Sequence, residues 1–223
     1  MNLRVILEGV VGAAAIAGTV VLSPFIRSWY SRWGTIDEEH RQSIPGDELV
    51  PHPKSQLTMA VTVQAPAVNI WPWFVQLGCQ RGGWYSYDLL DNGGISSADR
   101  IIPEYQQLEV GDIVKAMPKG DFGFPVAIIE PDRQLTMAGT TNTDTGEEAD
   151  PSDPDLEAYF SGNQTFLLNQ IDEKQTRLIF RMRIDWNPSR MGTIANRGVV
   201  EPLSFVMARK TLLNVKRLAE TMM

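Results

Sequence analysis

Residues 65–88 read A-P-A-V-N-I-W-P-W-F-V-Q-L-G-C-Q-R-G-G-W-Y-S-Y-D and join a helix signal to an aromatic turn. Pro66 suits the first turn of a helix, where its missing N–H group is not needed. Apolar residues then recur at steps of three and four, which is the spacing of one helix face. Gly78 is a plausible stop. The stretch therefore predicts a short helix with one apolar face, followed by a turn.

That turn combines a charge, a glycine pair and several aromatic rings. Arg81 precedes the two glycines, which allow a tight backbone path, and Trp84, Tyr85 and Tyr87 follow them. Large flat side chains with polar tips line or close ligand pockets. They also occur as ordinary core residues. Both interpretations stay open for each ring.

Strand patterns stand on both sides of this stretch. Residues 57–63 alternate apolar side chains with smaller or polar ones, as a half-buried strand does. After the aromatic turn, further strand patterns follow one another with short turns between them. They cover residues 112–117, 124–130, 134–138, 164–171 and 176–186. Tight turns between strands favour an antiparallel, curved meander.

The chain ends with an amphipathic helix predicted over residues 201–221, with Phe205 and Leu212 on its apolar stripe. A strongly curved sheet cannot fill its own concave side, so we expect this helix to cover it. Such an arrangement commonly leaves a cavity between helix and sheet. By alternation Phe166 and Phe180 face that cavity, although a register error of one residue would exchange the two faces.

This order of elements, with V-Q-A-P-A-V-N-I-W-P-W-F-V-Q-L-G after the first strand, resembles the START-like (SRPBCC) superfamily. More narrowly, residues 81–88, 97–104, 108–112 and 201–207 resemble bacterial members of unassigned function. The resemblance implies an α+β helix-grip fold over residues 57–223, in which a curved antiparallel sheet wraps around a long C-terminal helix. The superfamily includes polyketide cyclases, lipid-transfer domains and plant hormone-binding proteins, so the resemblance implies a fold rather than a chemistry.

Composition excludes some functions. The length of 223 residues suits one sizeable domain with an appendage. A net charge of −7 argues against a nucleic-acid partner, because phosphate neutralisation needs a basic surface. The single cysteine, Cys79, excludes an intrachain disulfide. No Cys and His cluster has the spacing of metal ligands, and neither a metal nor a cofactor is predicted.

The N-terminal residues differ from the rest, because Glu8 is the only charge in residues 5–26. At about 1.5 Å per residue, some 20 such residues span a hydrocarbon core roughly 30 Å thick. Arginines and aromatic residues flank the segment. The pattern indicates a single-pass membrane anchor over residues 1–33, in the membrane through residues 5–26, with a cytoplasmic C-terminal domain. A cleaved signal peptide and a buried N-terminal helix are the alternatives.

Two polar stretches follow the anchor segment. Residues 34–56 contain several prolines and predict a linker, which is either a tether or a segment that wraps the edge of the domain. The domain itself is then predicted over residues 57–223. Within it, residues 141–157 carry seven acidic residues and no basic one. Such a composition is typical of a solvated loop.

Two function hypotheses follow. The first is membrane-tethered binding of an apolar lipid, isoprenoid or polyketide-like molecule, with Arg81 and Arg100 available for an anionic head group. The second is a cyclase- or dehydratase-like enzyme with Asp88, Asp99 and Glu104 as weak catalytic candidates. A third, weaker hypothesis is a scaffold whose acidic loop recruits an unknown protein partner. The predicted ligand-binding residues are Arg81, Trp84, Tyr85, Tyr87, Arg100, Phe166, Phe180, Phe205 and Leu212.

Overall fold

The computed structural model describes residues 23–119, 122–151, 153 and 155–222. Its helices are α1 (Pro24–Tyr30), α2 (Asp37–Arg41), α3 (Ala67–Val75), α4 (Asp88–Asp91), α5 (Arg190–Ala195) and α6 (Glu201–Glu220). Short 3-10 turns lie at Asp47–Leu49 and Pro103–Tyr105, and a π-helical turn at Asn196–Val200 joins α5 to α6. The strands are β1 (Ser55–Val63), β2 (Ile113–Lys115), β3 (Gly123–Glu130), β4 (Gln134–Asn142), β5 (Tyr159–Asp172) and β6 (Gln175–Trp186).

The strands form one sheet in the order β1-β6-β5-β4-β3-β2, and each neighbouring pair is antiparallel. Helix α6 packs against β1 and β6 on the concave side. The predicted α+β architecture, a curved antiparallel sheet with a long C-terminal helix across it, is therefore confirmed.

Aromatic and aliphatic side chains fill the middle of the space between sheet and helix. Phe74 of α3 stacks on Phe166 with ring centroids 4.6 Å apart, and Phe166 lies 5.1 Å from Phe180. Leu212 of α6 is fully buried in the same cluster. Because these side chains contact one another, they occupy the volume that a ligand would need there.

Helix α1 packs on the beginning of α6. The carboxylate of Glu201 accepts hydrogen bonds from Arg27 Nε at 2.8 Å and from Tyr30 Oη at 3.2 Å. The rings of Trp29 and Tyr30 lie 5.6 and 5.5 Å from the Phe205 ring. Residues that the sequence places at a membrane interface therefore have partners inside the protein.

The predicted membrane localisation is wrong on this evidence. In the part of the chain that the structure describes, no helix has both the length and the apolar character to cross a bilayer. Most of the predicted span, residues 5–26, lies outside the described residues, and its last residues begin α1. The prediction of a cytoplasmic orientation rested on flanking arginines. Arg27, one of them, forms an ion pair with Glu201 instead.

The linker was predicted over residues 34–56, but residues 55 and 56 begin β1, and the residues before them run along the convex face of the sheet. Arg181 of β6 is almost completely buried there and donates hydrogen bonds to the Asp47 carboxylate and the Gln42 carbonyl, both at 2.8 Å. Ile44 joins a small apolar cluster on the same face. These contacts, and those of Gln134 with Pro45 and of Asn163 with Gly46, lie on interior strands, so the segment covers a face of the sheet rather than its edge.

Candidate ligand-binding site

A cavity of about 520 Å³ lies at one end of the concave face. Strands β4, β5 and β6 form its floor, and the β2–β3 hairpin forms one wall. Val200 and Ser204, at the junction of the π-helical turn with α6, form the opposite side. The cavity therefore lies between the sheet and the C-terminal helix, beyond the aromatic residues that fill the middle.

Two facing glycines account for the cavity. Gly139 of β4 and Gly162 of β5 are direct partners in the sheet, and both line the cavity. A Cβ atom at Gly139 would meet nothing nearer than Pro125 Cδ at 3.4 Å, which is an ordinary contact. A Cβ atom at Gly162 would stand 3.2 Å from a methyl group of Ile184. Two residues without side chains, placed opposite each other, leave this space empty.

Apolar side chains form the floor and the β2–β3 wall. Met182 and Ile184 are buried on the floor. Phe122 and Phe124 lie edge to face, with ring centroids 5.7 Å apart, on the wall. The ring of Trp84 packs edge-on behind Phe124 at 5.9 Å. A site of this composition suits an apolar molecule.

A third of the described lining residues are polar, but the side chains of Thr140 and Asn163 are hydrogen-bonded to Ser161 and to the Gly46 carbonyl. Gln164 faces it from β5, and Ser204 faces it from α6; neither side chain is hydrogen-bonded to another described residue. Glu148 is exposed at the rim. Its backbone forms a β-bridge with Thr141 in the hairpin that extends β4. Among the described lining residues there is no lysine, arginine or histidine.

Arg81 holds the loop after α3 in place. Its Nη2 donates hydrogen bonds to the carbonyl of Val75, at the end of α3, at 3.0 Å and to that of Tyr105 at 2.8 Å. Burial lowers the pKa of the guanidinium group, which stays charged at neutral pH. Arg81 thus satisfies orphan carbonyls at a helix end, and it does not line the cavity.

The aromatic turn is bonded to the C-terminal helix. Thr211 Oγ1 donates to the Trp84 carbonyl and Asn214 Nδ2 donates to the Tyr85 carbonyl, both at 2.8 Å. The Tyr85 hydroxyl accepts a hydrogen bond from Gln76 at 2.6 Å, and burial raises its pKa to about 12. These two rings are buried, and Trp84 reaches the cavity only through Phe124.

The other predicted ligand-binding residues also lie elsewhere. Tyr87 is 39% exposed, with Lys210 Nζ 4.4 Å above its ring, and Arg100 is exposed. Phe205 packs on α1, as described above. The described cavity lining includes none of Arg81, Trp84, Tyr85, Tyr87, Arg100, Phe166, Phe180, Phe205 and Leu212. Ligand contact by these residues stays a prediction.

The weak catalytic candidates do not meet at the cavity. Asp88 accepts a hydrogen bond from Ser97 Oγ at 2.6 Å, and Asp99 and Glu104 are exposed. None of the three lines the cavity. Within the described ranges, no group of three or more His, Cys, Asp or Glu side chains is placed to hold a metal ion.

Known proteins were compared with this chain by sequence and by structure. No protein-family model matches this chain, and a sequence comparison with curated proteins finds no match. Solved structures do match. The chain is similar to a hypothetical protein of Helicobacter pylori at 12% identity and a TM-score of 0.45, covering 83% of this chain and 98% of that one.

Two enzymes are among the similar structures. Norcoclaurine synthase from Thalictrum flavum has 14% identity and a TM-score of 0.40, covering 80% of this chain and 93% of the synthase. The Zhui aromatase/cyclase from Streptomyces sp. R1128 has 13% identity and a TM-score of 0.35, covering 74% and 93%. Values this low say nothing about the activity of the present chain.

Three residues of the cavity floor, Gly139, Phe160 and Gly162, lie outside the strands predicted from the sequence. Gly139 directly follows the predicted strand 134–138, and Phe160 and Gly162 precede the predicted strand 164–171. The available signal was the presence of glycine next to strand patterns, since glycine in a strand often marks a place where a ligand or another backbone approaches closely.

Proposed function

We propose that the protein binds an apolar small molecule, of lipid, isoprenoid or polyketide-like type, in the cavity over Gly139 and Gly162. The facing glycine pair carries the proposal, because it leaves an apolar hollow in a sheet that is otherwise packed. Filling that hollow with apolar surface stabilises a complex by about 25 cal/mol for each Å² removed from water.

Binding without catalysis accounts best for the polar groups at the cavity. General acid–base catalysis needs a titratable group positioned at the reacting atoms. The described lining offers the neutral side chains of Thr141, Gln164 and Ser204, and one carboxylate, Glu148, exposed at the rim. Neutral hydrogen-bonding groups in an apolar cavity orient a ligand.

The test fills the cavity from its floor. Gly139→Leu adds a side chain where there is room for its Cβ atom, and Ala138→Leu is the matched control on the opposite face of the same strand. Binding is measured by fluorescence titration with N-phenyl-1-naphthylamine, a neutral apolar probe. We expect Gly139→Leu to weaken binding at least about tenfold, because the ligand and the new side chain compete for one volume.

The control is expected to keep the affinity of the unaltered protein. Thermal melts of both variants check folding, and Gly139→Leu should melt no lower, since replacing a strand glycine removes an entropic cost of about 0.5–1 kcal/mol. If the probe binds both folded variants as tightly as it binds the unaltered chain, the ligand site is not this cavity.

A further inference from the structure

The rim of the cavity carries negative charge. The hairpin that extends β4 is closed by hydrogen bonds from Ala149 N to the Thr140 carbonyl and from Asn142 N to the Glu147 carbonyl, both 2.9 Å long. It places Glu148 at the cavity rim. Of the seven acidic residues in 141–157, Glu148 lines this cavity, whereas Asp153 lines a separate hollow. A charged group that enters the cavity passes the Glu148 carboxylate.

Aromatic rings stand at the same opening. Phe122 is 55% exposed at the rim, and its ring meets that of Phe124 edge to face. The face of an aromatic ring attracts a cation, and the attraction is greater where water is excluded. A carboxylate together with phenylalanine rings therefore suits an ammonium group and repels a carboxylate.

Neither arginine of the aromatic turn region compensates this charge. The Nη2 of Arg81 is bonded to backbone carbonyls, and neither Arg81 nor Arg100 lines the cavity. A ligand with an anionic head would lie beside Glu148 without a counter-ion from the described lining residues. The anionic head group that the sequence analysis expected does not fit this site.

From these observations we infer that the cavity selects a hydrophobic ammonium compound, with its tail over the glycine pair and its cationic head between Glu148 and the Phe122 ring. The inference rests on the proposed function and specifies the class of ligand for the same cavity. Gln164 and Ser204, which also line the cavity, are available to bind a neutral polar group on the ligand.

The test compares head groups on one tail. Octylamine, 1-octanol and octanoate displace N-phenyl-1-naphthylamine from the full chain at low ionic strength and pH 7. We expect octylamine to bind about threefold to tenfold more tightly than 1-octanol, and octanoate to bind most weakly. Added salt should reduce the preference for the amine, because ions screen exposed charges.

Two charge-neutralising variants test whether Glu148 causes the preference for octylamine over 1-octanol. Glu148→Gln should bring octylamine to the affinity of 1-octanol and leave 1-octanol unchanged. Glu173→Gln removes an exposed carboxylate in the β5–β6 turn, away from the cavity, and should behave like the unaltered chain. Thermal melts establish that both variants fold.

The outcomes separate the inference from the function on which it rests. If the probe binds in a Gly139-dependent way but octylamine shows no advantage, or keeps its advantage in Glu148→Gln, the head-group inference is overturned and the binding function stands. If Gly139→Leu leaves probe binding intact, the proposed site fails and the inference fails with it.

Discussion

The two ends of the concave face use the same strands and differ in side-chain volume. At the filled end, Leu135, Phe166 and Phe180 stand side by side on β4, β5 and β6. At the hollow end, the corresponding places are taken by glycine, glycine and Ile184. The strand pairing is continuous between the two ends. The cavity therefore results from the small size of Gly139 and Gly162 in a sheet whose strand pairing is unbroken.

The filled end should be the source of stability. Leu212→Asp puts a carboxyl group among buried apolar side chains, and we expect a loss of more than about 5 kcal/mol, enough to unfold the domain. Val206→Asp is the control, on a 43% exposed position of the same helix, and should unfold like the unaltered chain. Circular dichroism during urea unfolding measures both. If Leu212→Asp unfolds at the same urea concentration as the unaltered chain, the filled end is not the source of stability.

Truncating one aromatic ring at each end tests whether the two ends differ in packing. Phe166→Ala should cost about 3–5 kcal/mol of unfolding free energy, because Phe74 and Phe180 lose a buried partner. Phe160→Ala should cost clearly less, since Phe160 borders space that is already empty. The second variant should in turn weaken binding of the naphthylamine probe more than the first. Equal costs in urea titrations would contradict the distinction.

The smallest expected effect concerns the ring behind the wall. Trp84→Ala removes the edge-to-face support of Phe124 and should weaken probe binding by about 0.5–1.5 kcal/mol. Tyr87→Ala is the comparison in the same turn, and it should leave affinity unchanged because Tyr87 faces solvent and Lys210. Titrations with the naphthylamine probe, at a temperature where both variants are folded, measure the two affinities. A larger loss in Tyr87→Ala would place the ligand at the turn instead.

The filled end was predictable from the sequence. Alternating apolar residues in 57–63 and 176–186 indicate strands, and the stripe through Leu212 indicates a covering helix. The structure has β1 at Ser55–Val63, β6 at Gln175–Trp186 and α6 at Glu201–Glu220. Apolar periodicity predicts these elements because burial of those same side chains stabilises them.

The hollow end was not predictable by the same reasoning. Strands were predicted over 134–138 and 164–171, whereas β4 and β5 are Gln134–Asn142 and Tyr159–Asp172. The additional residues are mostly glycine, threonine, serine and asparagine. Glycine and asparagine are depleted in strands, so the local preference for strand structure ends at the residues that line the cavity. These residues are held in the sheet by their neighbours.

The aromatic turn shows a different limit. Its rings and glycines are typical of a pocket wall, and the sequence offers no sign of what lies against them. The carbonyls of Trp84 and Tyr85 are bonded to Thr211 and Asn214, which lie far along the chain on α6. Such contacts depend on the tertiary arrangement, so residue type alone did not distinguish a structural turn from a ligand site.

The ion pair between Arg27 and Glu201 has a consequence for choosing where a shortened chain should begin. Composition places the start of the domain after the apolar N-terminal residues, near Gly34. A chain begun there would lack Tyr30, which is buried in the core, and would leave the Glu201 carboxylate buried without its counter-ion. Glu201 directly follows Val200, a residue of the cavity lining. A fragment intended for ligand measurements should therefore begin before Pro24, because a shorter one would have an altered cavity.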